Sequence, residues 1–91
     1  MKNLINDKKA SLVDVRSVGE YAMGSVVGSV NIPMEEIPSR MHEFREMSKP
    51  LVLFCATGNR SGQVQRFLES NGIDDTHNAG GWMEVNYMKE V

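Results

Sequence analysis

The stretch LVLFCATGNRSGQ, residues 51–63, contains the one cysteine of the chain at the end of an apolar run. Four apolar residues precede Cys55, and a glycine, an arginine and a serine follow it before a helical pattern begins. A lone cysteine is more often a small buried hydrophobic residue than a reactive one. Cys55, however, lies at the end of a predicted strand and in front of a predicted helix. This position makes it a candidate nucleophile if its neighbours can stabilise a thiolate.

The residues after Cys55 are suited to bind negative charge. Gly58 allows a backbone conformation that other residues resist, so the N–H groups of residues 56–61 can turn inward and form an anion-binding nest. The helix that begins near Ser61 adds the positive end of its dipole, and Arg60 adds a permanent cation. These three features together predict a lowered pKa for Cys55, which would make it a thiolate at neutral pH.

The spacing between the cysteine and the arginine distinguishes the chemistries that use such a loop. Four residues separate Cys55 from Arg60, which gives the pattern C-x4-R. Cysteine phosphatases cradle phosphate oxygens with C-x5-R, so the shorter loop disfavours a phosphatase or an arsenate reductase and favours a terminal sulfur atom on the cysteine. A cysteine protease has no support, because neither His42 nor His77 lies in a motif that would place it beside Cys55.

Alternating strand and helix patterns surround this loop. Apolar runs predict strands over residues 11–15, 26–33 and 50–55, and a weaker strand over residues 73–79. A first helix is predicted from Ser17 to Gly24, because Ser17 is a cap residue and Glu20 follows it at capping-box spacing. Further helices are predicted over residues 35–47, 63–71 and 80–91. This alternation predicts an α/β fold with a mostly parallel sheet and right-handed crossovers. Ligands gather at the carboxyl ends of such strands, where Cys55 lies.

Length, charge and composition restrict the remaining possibilities. The 91 residues suffice for one domain with a modest core. A formal net charge of −2 without a basic run gives no electrostatic case for nucleic acid or a membrane surface. No apolar stretch approaches the ~20 residues of a membrane span. One cysteine and two histidines cannot form a closed zinc site, so we expect no metal and no cofactor.

The same features favour a cytoplasmic location. Residues 1–16 are interrupted by Asp7, Lys8 and Lys9 and lack the apolar segment of a signal peptide. A single cysteine cannot form an internal disulfide, which fits a reducing compartment. A mature secreted chain would look the same, so this alternative stays open.

A family resemblance is carried by four segments, which are, in order, LVDVRSVGEY, GSVVGSVNIP, CATGNRS and NAGGW. By these segments the chain resembles the single-domain rhodaneses, a family of thiosulfate-type sulfurtransferases. The resemblance covers nearly the whole chain. It implies one small rhodanese-like domain over residues 1–91, with a sheet of four to five strands flanked by helices on both faces. It also implies that Cys55 is the catalytic nucleophile and carries sulfane sulfur as a persulfide. The substrate would be bound by the residues that follow it, namely Ala56, Thr57, Gly58, Asn59, Arg60 and Ser61.

The resemblance also implies residues that support the loop. Asp14, Arg16 and Glu20 would buttress the strand end beside it. For Arg16 and Glu20, at i and i+4, the alternative is a solvated ion pair worth at most ~1 kcal/mol. Gly80 and Gly81 would permit close backbone approach near the loop, and Trp82 would belong to the core.

The chain departs from the family pattern in ways that bear on activity. Ser25 and Val85 stand where the family often has a histidine and an aromatic residue, and the usual short strand before LVDVR is shortened or missing. Ala56 and Thr57 are neutral, whereas a strong thiosulfate binder would have an extra basic residue there. Two functions therefore stay open.

The first function is a sulfurtransferase that moves sulfane sulfur from thiosulfate or another donor to a thiophilic acceptor. That acceptor would be cyanide or a dithiol such as thioredoxin. The second is a persulfide carrier or regulatory binding module with weak turnover of small molecules. Neither function involves nucleic acid or a membrane, and the oligomeric state stays open.

Overall fold

A continuous apolar strand that ends at the cysteine lies inside a four-stranded parallel sheet. The computed structural model describes residues 1–90. Its strands are β1 (Ser11–Asp14), β2 (Val30–Asn31), β3 (Leu51–Cys55) and β4 (Thr76–Gly81), and their order across the sheet is β2-β1-β3-β4. The predicted α/β fold with a parallel sheet of four to five strands is confirmed.

Helices connect the strands and cover both faces of the sheet. They are α1 (Lys2–Ile5), α2 (Val18–Met23), a 3₁₀ helix (Met34–Arg40), α3 (Met41–Glu46), α4 (Asn59–Ser70) and α5 (Trp82–Met88). In residues 1–90, none of them has the length and apolarity that a bilayer crossing requires.

All five residues of β3 are buried because successive side chains enter two different cores. Leu51, Leu53 and Cys55 join a core formed with the 3₁₀ helix, α3 and α4. Val52 and Phe54 join a second core formed with α1 and α5. The Cys55 side chain therefore starts inside a packed core. Only the loop that follows β3 can leave its sulfur accessible to other molecules.

The strand predicted over residues 26–33 is wrong in extent, since only Val30 and Asn31 pair with β1. Residues 26–29 instead form a turn, in which the N–H of Ser29 donates to the carbonyl of Val26 at 3.1 Å. Gly28 within this turn has φ of +87°, a left-handed conformation that a strand cannot contain.

The single helix predicted over residues 35–47 is divided into the 3₁₀ helix and α3. Pro38 lies inside the 3₁₀ helix and has no N–H for the i→i−4 ladder, which explains why a regular α-helix begins only after it. The apolar side chains of this segment nevertheless pack on one core, namely Ile37, Met41, Phe44 and Met47.

The other helix boundaries also differ from the prediction. α4 begins at Asn59, four residues before the predicted start at Gln63. The strand predicted over residues 73–79 is β4, which begins later, at Thr76, and ends later, at Gly81. The capping box of Ser17 and Glu20 is confirmed at the start of α2. The one-turn helix α1 was not expected, and it occupies the segment before β1 where the family strand is missing.

Replacing Phe44 by alanine tests the importance of the core beneath α3. Phe44 is 0% exposed, so Phe44→Ala should lower the free energy of unfolding by ~3–5 kcal/mol in urea denaturation. Phe67→Ala is the matched control, because Phe67 is 38% exposed and should cost clearly less. Equal losses for the two variants would contradict this assignment of the core.

Candidate active site around Cys55

A three-residue turn connects the end of β3 to the start of α4. Cys55 is the last residue of β3, and Ala56, Thr57 and Gly58 precede the first residue of α4. Gly58 has φ of +99°, and a Cβ atom there would lie 3.2 Å from the Cα atom of Gly80. Glycine is therefore required by conformation and by space, as the sequence predicts for this turn.

The turn directs hydrogen-bond donors at the sulfur. The N–H of Gly58 donates to Sγ at 3.0 Å, and the N–H and hydroxyl of Ser61 lie 3.5 and 3.4 Å from it. Burial raises the pKa of Cys55, but the hydrogen bonds from the Ser61 side chain and from the N–H groups of Ser61, Thr57 and Gly58 outweigh it. Together they lower the pKa of the thiol from 9.0 to about 7. Of the nest predicted over residues 56–61, the structure brings the N–H groups of Gly58 and Ser61 within hydrogen-bond distance of the sulfur.

Asn78 on β4 holds this turn, and the sequence analysis did not identify it. Its Nδ2 donates to the carbonyl of Gly58 at 3.0 Å, and its Oδ1 accepts from the N–H of Gly80 at 3.1 Å. The hydroxyl of Ser61 lies 2.7 Å from the same Oδ1. The one proton of Ser61 therefore has two acceptors, Asn78 and the sulfur. No local pattern in the sequence marks Asn78, because its partners Gly58 and Ser61 lie 20 and 17 positions away along the chain.

The guanidinium of Arg60 is hydrogen-bonded to a carboxylate, and its charge also interacts with Cys55. Its Nη1 and Nη2 donate to the two carboxylate oxygens of Glu20 at 2.7 and 3.0 Å. These bonds, followed by the bond from the N–H of Ser17, lower the pKa of Glu20 to about 2. Glu20 is also the N3 residue of the α2 capping box. One carboxylate thus joins the start of α2 to the loop.

Arg16 pairs with Asp14, so the solvated Arg16–Glu20 ion pair is not formed. Its Nε donates to the Asp14 carboxylate oxygens at 3.0 and 2.9 Å, and both residues are buried. Its Nη2 donates to the carbonyl of Gly24 at 2.7 Å, and its guanidinium carbon lies 4.5 Å from the centre of the Trp82 ring. Arg16 therefore connects the end of β1 to the end of α2 and to α5.

The outer part of the loop is open to solvent. Ala56, Thr57 and Asn59 are exposed. The close approach predicted near Gly81 is present, because a Cβ atom there would lie 2.8 Å from the carbonyl oxygen of Ala56 and 2.5 Å from Oε1 of Glu84. The exposed and neutral loop residues Ala56, Thr57 and Asn59 thus lie between the buried sulfur and the solvent.

The alkylation rate of Cys55 should follow a titration with a midpoint near pH 7, because the thiolate is the form that reacts. Ser61→Ala should move the midpoint to higher pH, since it removes a hydroxyl that stabilises the anion. Iodoacetamide kinetics between pH 5 and 10 measure both, with the exposed Ser39→Ala as the control. A wild-type midpoint at or above ~8.5 would contradict the thiolate assignment.

Comparisons with known proteins identify the family. A family model described as the rhodanese-like domain matches residues 1–87. The chain is 36% identical over 74 residues to the protein YqhL of Bacillus subtilis (strain 168), covering 81% of this chain and 58% of that protein. It is 31% identical over 101 residues to the thiosulfate:glutathione sulfurtransferase of Homo sapiens, covering 92% of this chain and 88% of that protein.

The lengths and structures of the relatives add detail. The chain matches a tRNA uridine(34) hydroxylase of Pelagibacter ubique at 32% identity, with 97% of this chain covering only 30% of that protein. The chain thus spans 58% of the length of YqhL and 30% of the length of the hydroxylase. A crystal structure of a rhodanese-like domain protein from Staphylococcus aureus matches at a TM-score of 0.77 and 36% identity, over 92% of this chain and 80% of that chain. The chain therefore belongs to the rhodanese-like domain family.

Proposed function

We propose that this protein is a sulfurtransferase that takes sulfane sulfur onto Cys55 as a persulfide and passes it to a thiophilic acceptor. The observation that carries the proposal is the set of donors around Sγ, formed by Gly58 and Ser61 within a C-x4-R loop. Backbone and hydroxyl donors that stabilise a thiolate also stabilise an anionic persulfide in the same place.

The transfer consists of two displacements at sulfur. In the first, the Cys55 thiolate attacks the sulfane sulfur of the donor, and the donor S–S bond breaks. With thiosulfate the leaving group is sulfite, and Cys55 keeps the transferred atom as Cys–S–S⁻. In the second, an acceptor such as cyanide or the thiolate of a dithiol attacks the outer sulfur, and the Cys55 thiolate leaves. The transferred sulfur atom keeps its oxidation level, so no redox cofactor takes part.

The relatives support this reaction class and leave the partners open. Several relatives are named thiosulfate sulfurtransferases or thiosulfate:glutathione sulfurtransferases. The alternative function is a persulfide carrier or regulatory module with weak turnover of small molecules. The neutral Ala56 and Thr57 favour this alternative, because the two residues that follow the cysteine carry no positive charge to attract an anionic donor.

Mass spectrometry of the intact protein tests the persulfide directly. After incubation with a sulfane donor and removal of that donor by gel filtration, the protein should be heavier by one sulfur atom. This form should persist, because the chain has a single cysteine and no second thiol can discharge the persulfide within it. It should disappear on addition of cyanide or reduced thioredoxin.

Cys55→Ser is the control, and it should never gain the sulfur atom. A protein that gains sulfur but loses it equally fast with and without an acceptor would support neither transfer nor carriage. Failure to gain sulfur from thiosulfate and from persulfide donors alike would refute the proposed function.

Loop length should determine the substrate class. The unmodified chain should show negligible hydrolysis of p-nitrophenyl phosphate, and insertion of one glycine after Thr57 should reduce sulfur transfer. The physical reason is that the insertion moves the donors of Gly58 and Ser61 away from Sγ, which they now approach to 3.0–3.5 Å. Substantial phosphatase activity of the unmodified chain would contradict this assignment.

A further inference from the structure

The buried hydroxyl of Ser61 has one proton and two acceptors within reach. It donates to Oδ1 of Asn78 at 2.7 Å, and it lies 3.4 Å from Sγ of Cys55. Rotation about the Cβ–Oγ bond carries the proton from one acceptor to the other without moving Oγ. A neutral thiol leaves the proton on Asn78, whereas a thiolate draws it to the sulfur, because hydrogen bonds to a charged acceptor are the stronger ones.

Backbone partners fix both ends of the Asn78 side chain. Its Nδ2 donates to the carbonyl of Gly58 at 3.0 Å, and its Oδ1 accepts from the N–H of Gly80 at 3.1 Å. A carbonyl only accepts and an N–H only donates, so the amide group has a single orientation. The oxygen of Asn78, and not its nitrogen, therefore meets the hydroxyl of Ser61.

Asn78 also occupies the acceptor that would draw this hydroxyl away from the sulfur. A serine in a helix commonly donates to a carbonyl three or four residues before it. Ser61 is the third residue of α4, and the carbonyl three residues before it belongs to Gly58. That carbonyl already accepts from the N–H of Gly62 at 2.9 Å and from Nδ2 of Asn78, which uses both of its lone pairs. Without Asn78, one of these lone pairs would be open to the hydroxyl.

From these contacts we infer that Asn78 is a positioning residue of the site, which keeps the Ser61 hydroxyl where it can turn to the sulfur when the thiol ionises. Asn78 does not touch the sulfur and acts through Ser61. The thiol proton leaves to solvent, and the hydroxyl keeps its own proton throughout. The inference rests on the proposed function for the chemistry that the thiolate performs, and it assigns a residue of β4, outside the C-x4-R loop, to the stabilisation of that thiolate.

The charged groups around the sulfur stay the same when Asn78 or Ser61 is replaced. Arg60 interacts electrostatically with the sulfur and is paired with Glu20. The 3₁₀ helix and α3 present apolar side chains to the core that contains Cys55. The remaining charged or titratable groups on the surrounding elements are Asp14 and Arg16 after β1, Arg66 on α4, His77 on β4 and Glu84 on α5. A shift of the titration midpoint between variants at Asn78 and Ser61 therefore reports on hydrogen bonds.

A double-mutant cycle of Asn78→Leu and Ser61→Ala tests the inference. Leucine has a shape similar to asparagine, so it removes both polar atoms and leaves no room for a water molecule in their place. The measurement is the midpoint of iodoacetamide alkylation of Cys55 against pH. Each single variant should raise the midpoint by about one pH unit, the size expected from one charge-assisted hydrogen bond. The double variant should have the midpoint of Asn78→Leu to within about 0.3 units, because the hydroxyl no longer serves the sulfur once Asn78 is lost.

Asn31→Leu is the matched control. Asn31 is a half-buried strand asparagine like Asn78, and its Nδ2 donates to the carbonyls of Asp14 and Arg16 at 2.9 Å each. Neither of these bonds reaches the loop after β3. Asn31→Leu should lower the free energy of unfolding in urea as Asn78→Leu does, and it should leave the alkylation midpoint of Cys55 unchanged. The control thus separates the loss of an asparagine that bonds backbone carbonyls from the loss of the hydroxyl's position.

The pH dependence of sulfur loading gives a second measurement. With thiosulfate as the donor and intact mass as the readout, Asn78→Leu should gain sulfur about tenfold more slowly than the wild type at about pH 6. At about pH 9 the thiolate is nearly complete in both proteins, so the two rates should agree to within about twofold. An equal slowing at both pH values would indicate a distorted loop and would count against the inference.

The alkylation midpoints decide the inference independently of sulfur transfer. An unchanged or lowered midpoint in Asn78→Leu would overturn it. So would a double variant in which Ser61→Ala adds its full shift, because Asn78 would then act without Ser61. If Asn78→Leu lacks a cooperative urea transition, Asn78→Ala takes its place in the cycle and the same outcomes apply. Midpoints that shift as expected in a protein that gains sulfur from no sulfane donor would refute the proposed function, and the role of Asn78 in stabilising the thiolate would stand.

Discussion

A sulfur anion at the end of a strand that is buried on both faces is stable only where hydrogen-bond donors replace water. The side chain of Cys55 starts in the core and has no water-filled space on the strand side. Its compensation comes from the N–H groups of Gly58 and Ser61 and from the hydroxyl of Ser61. The left-handed turn and the early start of α4 both serve this requirement, because each aims backbone donors at one atom.

The adjacent strand keeps the turn in place. β4 pairs with β3, and its register shifts between Leu53 and Cys55, an irregularity of the kind that often lies beside active sites. Gly80 lies against the turn, and its Cα atom would be 3.2 Å from a Cβ atom placed on Gly58. Asn78 then bonds the carbonyl of Gly58. The geometry of the loop is thus determined by residues about 20 positions away from it as well as by its own sequence.

Local patterns predicted the parts of the fold that local interactions determine. The apolar run of β3, the capping box at Ser17 and the glycine turn at Gly58 depend on neighbours within a few residues, and they appear as expected. Pro38 lies within the helix predicted over residues 35–47, and its missing N–H divides that helix in two. The strand over residues 26–33 was overextended, because the pattern could not show that Gly28 takes a positive φ.

Long-range partners were the part that the sequence could not show. The i, i+4 spacing of Arg16 and Glu20 favoured a local ion pair, but each residue has a better partner elsewhere. Arg16 bonds the buried Asp14, and Glu20 bonds Arg60, 40 residues away. Such pairings depend on how α2 packs beside the loop, which no spacing rule encodes. Asn78 was overlooked for the same reason.

The position of Trp82 has a practical consequence. It is the one tryptophan of the chain, with the Arg16 guanidinium carbon 4.5 Å from its ring centre and Gly24 packed against its edge. Indole emission responds to nearby charge, so the intrinsic fluorescence of this protein reports on a single junction, between the end of α2 and the start of α5. Because α2 also holds Glu20, a shift of that helix alters the surroundings of the indole and the Arg60 contact together. The chain thus has a native optical reporter at the junction that links α2 to α5.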